Sequence, residues 1–236
     1  MKYQNIVWNN NNTPVSIHFD DIYFNNNDAI AECQYVFIDG NHLNQRFYDC
    51  QKTIFVIAET GFGSGLNLLV LWQQFLNFKQ NNPHHPLKEL HFYSIEKYPL
   101  SLQEVEQIHQ QVIKDASLAK LAKQLQQSWS MNSASFDDIK LNILFNDITN
   151  YSRFLTQYNA QVDAWFFDGF SPDKNPDMWT ADLFSQLYQL TAAEGTFSTF
   201  TAASQVRRNL ISAGFQTTKI KGYGKKREML IGYKSI

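Results

Sequence analysis

Only two cysteines, Cys33 and Cys50, occur in 236 residues. That is too few for a disulfide framework, and neither belongs to a CxxC pair of the kind that holds zinc. No run of 18 apolar residues is found, and the opening MKYQNIVWNNNNTP has no apolar signal segment. These absences predict a cytoplasmic chain with no membrane partner. An excess of one charge is missing too: 20 Lys and Arg face 22 Asp and Glu, for a net charge of −2. A broadly basic, histone-like binder is excluded, whereas a local basic patch is not. With 6 prolines and 10 glycines there is no Pro- or Gly-rich linker, and no segment repeats. Six histidines (His18, His42, His84, His85, His91 and His109) are scattered without carboxylates at ligand spacing, so no metal is expected.

What is abundant is apolar. Hydrophobic residues reach 44% and charged ones only 18%, enough to bury a core. The length suits one large domain, or one with an appendage. Aromatics at 15% suggest flat pockets as well as core, and the stripe Trp72, Phe75, Phe78 reads as core. The Asn runs 9–12 and 25–27 read as loops. Val15–Phe24 alternates like a strand and Ala31–Ile38 reads as another, which predicts a small β appendage over residues 1–50.

Residues 51–236 have a different rhythm. Ile54–Ala58 is a continuous apolar run, as expected of a strand buried on both faces. Strands follow at His91–Ile95, Leu141–Phe145, Asp163–Phe167 and Gly195–Thr201. Helices are predicted at Leu66–Phe78, after the Ser101/Glu104 capping box, over Lys114–Gln127, from Pro176 to about Leu190, and over Ala203–Ala213. Phe215–Lys221 and Glu228–Lys234 can close the chain as an antiparallel hairpin. Strands alternating with helices argue a doubly wound α/β sheet, whose ligands lie beyond the carboxyl ends of the strands.

Four strand ends carry polar groups. Glu59-Thr-Gly61-Phe-Gly63-Ser-Gly65-Leu-Asn67 places glycines at every second position before a helix whose free N–H groups face the same space. It is either an ordinary strand–helix turn or a ligand loop. As a ligand loop it departs from the dinucleotide fingerprint GxGxxG, because Leu66 stands where the third glycine belongs. Glu59 would repel a pyrophosphate and suits a cationic nucleoside such as S-adenosylmethionine. Glu96 ends the second strand, where it either accepts ribose hydroxyls or is a solvated loop acid. Asp147 follows the third strand, where it either accepts an adenine amino group or caps the helix near Tyr151. Asp168 ends the apolar run Ala164–Phe167 and opens a loop with Phe170, Pro172, Pro176, Met178 and Trp179. It either caps its own loop or stands in a pocket able to hold a flat base.

ETGFGSGLN, DAWFFDGFSPDKNPDMW and KGYGKKREM, together with FDDIYF and ECQYVFIDGNHL, resemble the methyltransferase domain of the tRNA 5-methylaminomethyl-2-thiouridine biosynthesis enzymes (MnmC/MnmD type) over nearly the whole chain. Ser64 stands where threonine is expected. The resemblance implies a class I, Rossmann-like S-adenosylmethionine-dependent methyltransferase sheet ending in a hairpin. It implies N-methylation of the 5-aminomethyl group on a wobble (2-thio)uridine of tRNA, with Asp168 catalytic. Glu59, Gly61, Gly63, Gly65, Asn67, Glu96 and Asp147 would surround the cofactor. Phe170, Pro172, Lys174, Asn175, Trp179, Lys225, Lys226 and Arg227 would meet the substrate. Lys225–Arg227 is either a solvated hairpin turn or a phosphate-binding loop. A flavin-dependent oxidase, fused or separate, is the expected partner activity. No second glycine fingerprint follows Lys234, so this chain itself should not bind FAD. The alternatives are a nicotinamide-dependent oxidoreductase and a non-catalytic RNA-binding domain.

Overall fold

The N-terminal strands β1 (Ile6–Trp8) and β2 (Pro14–Ser16) pair as a two-stranded antiparallel sheet in the computed structural model, which describes residues 4–24 and 28–236. The Asn25–Asn27 run expected as a loop lies outside the described residues. Val15–Phe24 is not one strand. Asp20 takes a left-handed φ of +49°, and the Ser16 amide donates to the Asp21 carbonyl, so the segment folds back beside β2.

Ala31–Ile38, expected as a strand, is helical. Helix α1 (Ala29–Cys33) runs on into a π-helical turn, Gln34–Asp39, and α2 (Leu43–Asp49) follows. The Asp28 carboxylate caps α1 by accepting from the Ala31 amide at 2.9 Å. Tyr35, Val36, Phe37 and Ile38 all favour strands taken singly. Ala29, Cys33, Val36 and Phe37 recur at helical spacing, however, and all are buried in the main core. Burial of that stripe outweighs propensity. Among the described residues of 1–50 the strands are thus β1 and β2, and α1, the π-helical turn and α2 pack as helix on the large sheet. Phe47, fully buried and edge-on to Phe55, is part of the same core. Phe47→Ala should cost about 3–5 kcal/mol of stability by denaturant unfolding; a cost below about 1 kcal/mol would mean that the segment docks loosely.

The remaining elements alternate as expected. They are β3 (Ile54–Glu59), α3 (Leu66–Asn81), β4 (Glu89–Glu96), α4 (Leu102–Val112), α5 (Ala116–Gln127), β5 (Ser133–Phe136), β6 (Ile139–Phe145), α6 (Tyr151–Gln157), β7 (Val162–Phe166), α7 (Ala181–Gln189), β8 (Thr191–Thr199), α8 (Ser204–Ala213), β9 (Gln216–Lys221) and β10 (Glu228–Tyr233). Ser101 and Glu104 form the expected capping box at α4. Pro176 opens a separate 3-10 turn to Trp179, not α7 itself. The hairpin partner β5 was not expected: SASF is too short and polar to stand out.

The large sheet runs β5-β6-β4-β3-β7-β8-β10-β9. β6, β4, β3, β7 and β8 are mutually parallel, and β10 is antiparallel to both its neighbours. One core cluster joins α1, α2, α3 and α5 to the sheet, and a second joins α6, α7 and α8, so the central strands are covered on both faces. From β3 the chain winds outward through β4 to β6, then returns to β7 on the other side of β3. The carboxyl ends of β3 and β7 therefore flank the switch point, where a doubly wound sheet opens a crevice.

Candidate active site

Glu59 ends β3 and Asp168 follows β7, on opposite sides of that crevice. Asn67, in the first turn of α3, joins them: its Nδ2 donates to Glu59 Oε1 at 2.9 Å and to Asp168 Oδ2 at 2.7 Å. The second Glu59 oxygen accepts from Ser94 Oγ at 2.7 Å, and Asp168 Oδ1 accepts from the Gly169 amide at 2.8 Å. Glu96 ties the glycine loop to β4, accepting from the Gly63 amide and the Tyr98 amide, each at 2.9 Å. Gly61, Gly63 and Gly65 have φ of +94°, +52° and +74°, values that exclude ordinary side chains without strain. Their tasks differ. Gly61 and Gly63 line the hollow. At Gly65, which caps α3, an added Cβ would come within 2.9 Å of Leu125, so that glycine serves packing.

The carboxylates are crowded and short of cations. Desolvation first, then repulsion from Asp168, raises Glu59 well above the ordinary carboxyl range. Desolvation also raises Glu96, and it pushes Asp168 up to about 6 against the opposing hydrogen bonds from Gly169 and Asn67. A carboxyl so raised holds a proton in the folded state that the unfolded chain releases. Its contribution to stability therefore falls as pH rises from about 4 to about 6. A bound cation would reverse that loss.

Three cavities meet at Gly169. The first is lined by the glycine loop, Tyr23, Cys33, Asn67, Glu96 and Asp168. The second extends toward Lys97, Asp147, Ile148, Asn175 and Met178, with Phe19 and Phe170 as flat walls stacked at 4.7 Å. The third, of about 360 Å³, is lined by Asp168, Glu32, Tyr23, Phe200 and Lys226. Asp168 thus opens onto both the glycine-lined hollow and the third cavity.

Several expected residues sit elsewhere than expected. Glu59 is 1% exposed and lies beneath the floor of the hollow, reaching it only through Asn67. Asp147 is the cap that the sequence left open: it accepts from the Thr149 amide and pairs with Lys97 at 2.8 Å, which holds its carboxyl down at about 2. It still lines the second cavity. Trp179 is 3% exposed and is not a pocket wall; its indole donates to the Phe170 carbonyl and its ring meets Phe200 edge-on, bracing both. Lys174 pairs with Asp20 at 2.9 Å on the surface, and Pro172 lines none of these three cavities. Lys225 and Arg227 are exposed on the β9–β10 turn, whereas Lys226 turns into the third cavity. Sequence reasoning missed Tyr23, Glu32, Cys33 and Phe200. Phe200 follows β8, the fifth strand end, where the sequence shows no acid to draw attention. Glu32 and Cys33 were read as strand.

A family model described as S-adenosyl-L-methionine-dependent methyltransferase matches residues 103–235, more than half of the chain. The chain belongs to this methyltransferase family. The tRNA 5-methylaminomethyl-2-thiouridine biosynthesis bifunctional protein MnmC of Haemophilus ducreyi is 45% identical over 241 residues, covering 100% of this chain and 36% of the relative. Its counterpart in Vibrio cholerae is 45% identical over 240 residues, covering 98% and 35%. The chain therefore spans about a third of the length of these relatives. The crystal structure of MnmC2 from Aquifex aeolicus shares the fold, with a TM-score of 0.77 at 22% identity over 99% of this chain and 71% of that one.

The site of this methyltransferase suits S-adenosylmethionine on its own chemistry. Asn67 Oδ1 is buried and has no hydrogen-bond partner among the described residues, an acceptor suited to an ammonium donor. Glu96 and Asp168 face the same hollow, and opposite charge is what crowded carboxylates favour. A pyrophosphate would meet repulsion here, which disfavours the nicotinamide alternative. Among the described residues no group of His, Cys, Asp and Glu could hold a metal, and no helix is long and apolar enough to cross a membrane.

Proposed function

We propose that this chain N-methylates the 5-aminomethyl group on the wobble (2-thio)uridine of tRNA, giving 5-methylaminomethyl-2-thiouridine. The observation that carries the reading is the position of the Asp168 carboxylate, at the junction of an anionic, glycine-lined hollow and a cavity walled by Tyr23 and Phe200. The names of the relatives, 45% identical across the whole chain, support the same substrate.

The amine nitrogen would attack the sulfonium-bound methyl carbon of S-adenosylmethionine in line, a C–N bond forming as the C–S bond breaks and the neutral thioether leaves. The work left to the protein is alignment, worth up to about 7–11 kcal/mol of barrier. Glu96, the Gly61 and Gly63 backbone and Asn67 would hold the cofactor, with Asp147 and Asn175 at the far end of the second cavity. The substrate amine must be neutral. At a lysine-like pKa near 10.4, only about one in 2,500 is neutral at pH 7, a cost of about 4.6 kcal/mol. Desolvation by the aromatic walls shifts that balance toward the neutral form. An ordinary carboxylate is too acidic to help, but one raised to about 6 is a hundredfold stronger base than one at 3.8. Asp168 therefore orients the amine and takes its proton.

Exposed Lys221, Lys225 and Arg227 lie on or beside the last turn, Arg207 is close enough to act on Glu228, and these cations would meet the tRNA backbone. A Lys225→Ala/Arg227→Ala variant should bind every tRNA more weakly, with the slope of log affinity against log salt smaller by about 1.4–1.8. An unchanged slope would leave the turn as solvated surface. An oxidase that supplies the amine, flavin-dependent and either fused or separate, completes the expected setting in the cytoplasm. The deciding experiment incubates the chain with labelled cofactor and tRNA bearing the aminomethyl uridine, then reads the nucleoside by mass spectrometry. Tight tRNA binding without methyl transfer would make it a binding domain instead.

A further inference from the structure

Lys226 has a surrounding that a phosphate-binding lysine does not need. Its Nζ lies 3.2 Å from Glu32 Oε1 and 4.4 Å from the centre of the Phe200 ring, on the wall of the third cavity. Glu32 is 12% exposed at its side chain and is fixed on the buried helix α1, while Lys226 is 43% exposed and comes from a hairpin turn. The rigid half of the pair is the carboxylate. A carboxylate beside an aromatic face is a receptor for an ammonium ion, since the charge and the ring quadrupole attract the same cation. Asp168, on the same cavity, already accepts from Asn67 and Gly169 with its two oxygens.

We propose that Glu32 and Phe200 form the receiving site for the substrate's amine in its ammonium form, and that Lys226 occupies this site until tRNA arrives. The inference rests on the reading that the substrate is an aminomethyl-bearing tRNA. On docking, the incoming ammonium displaces the lysine, which moves out into solvent. The amine is captured charged at Glu32 and becomes neutral only beside Asp168. Capture and proton removal, which want opposite charge states, are thereby given to two different carboxylates. Glu32 is a specificity residue in this scheme and takes no proton.

The test measures binding without cofactor, using two tRNAs that differ only in an aminomethyl or a plain wobble uridine. The wild-type chain should prefer the aminomethyl tRNA by about 10- to 100-fold, the worth of a hydrogen-bonded charge. Glu32→Gln should erase the preference and leave affinity for the plain tRNA within about threefold. Lys226→Met should widen the preference, because the competing ammonium is gone. A preference that survives in Glu32→Gln overturns the proposal. So does a Lys226→Met variant that weakens both tRNAs alike, which is the behaviour of a phosphate ligand or a simple brace. Should Glu32→Gln not fold, the Lys226→Met ratio decides alone. Methyl transfer by the wild-type chain is read separately; its absence would defeat the functional reading whatever the binding ratios show.

Discussion

Asp168→Asn should lower turnover by about 10²- to 10⁴-fold, the usual range for removing a positioned proton acceptor. Affinity for S-adenosylmethionine should change far less, because Glu96 and the glycine loop are untouched. The amide keeps the shape and can still accept from Gly169, but its NH2 meets the Asn67 NH2 donor, and it cannot take a proton. The pH profile gives a second, independent sign. With Asp168 raised to about 6, the protonated and inactive form accumulates as pH falls below that value. Wild-type turnover should then fall about tenfold per pH unit on the acid side. The residual activity of the variant should show no break near pH 6 and rise about tenfold per unit straight through it, because the amine must then lose its proton to solvent. Near wild-type turnover in Asp168→Asn, or a break near pH 6 that persists in it, would remove the carboxylate from the chemistry.

The second large effect is expected at Glu96. Glu96→Ala leaves the Gly63 and Tyr98 amides without their acceptor and frees the glycine loop from β4. Two donors stripped of a charged partner lose about 2–6 kcal/mol together, and a share of about 1.4–2.8 kcal/mol falling on cofactor binding predicts a rise in cofactor KM of about 10- to 100-fold. Once saturated, the enzyme should keep its kcat within about threefold, since Asp168 and the third cavity stay in place. A loss confined to kcat would show that Glu96 acts on the reacting groups and not on the loop. Isothermal titration with the cofactor alone separates the two.

How much of this was visible in the chain depended on the range of the interaction. The buried strands β3 and β7 announce themselves as apolar runs, and the polar residues that end them mark the crevice. Gly61, Gly63, Asn67, Glu96 and Asp168 all line it. The misreadings have particular causes. Trp179 was placed in the pocket for its type and its neighbours, yet burial against Phe184 and Phe200 puts it underneath. Asp147, for which the sequence leaves two readings open, caps its turn through Thr149, pairs with Lys97 and also lines the second cavity, so the two are compatible. Ala31–Ile38 carries strand-forming side chains whose helical stripe has meaning only once the sheet is there to cover it.

The sequence by itself determined the alternation of elements, the turn imposed by closely spaced glycines, and the acids at strand ends, because these depend on neighbours a few positions apart. The tertiary structure alone decided which of those acids work together. Asn67, bonded to Glu59, reaches Asp168 across 101 residues, and Lys226 reaches Glu32 across 194. Charges that far apart in the chain acquire a common dielectric, shared donors and shifted proton affinities only when the sheet closes around them.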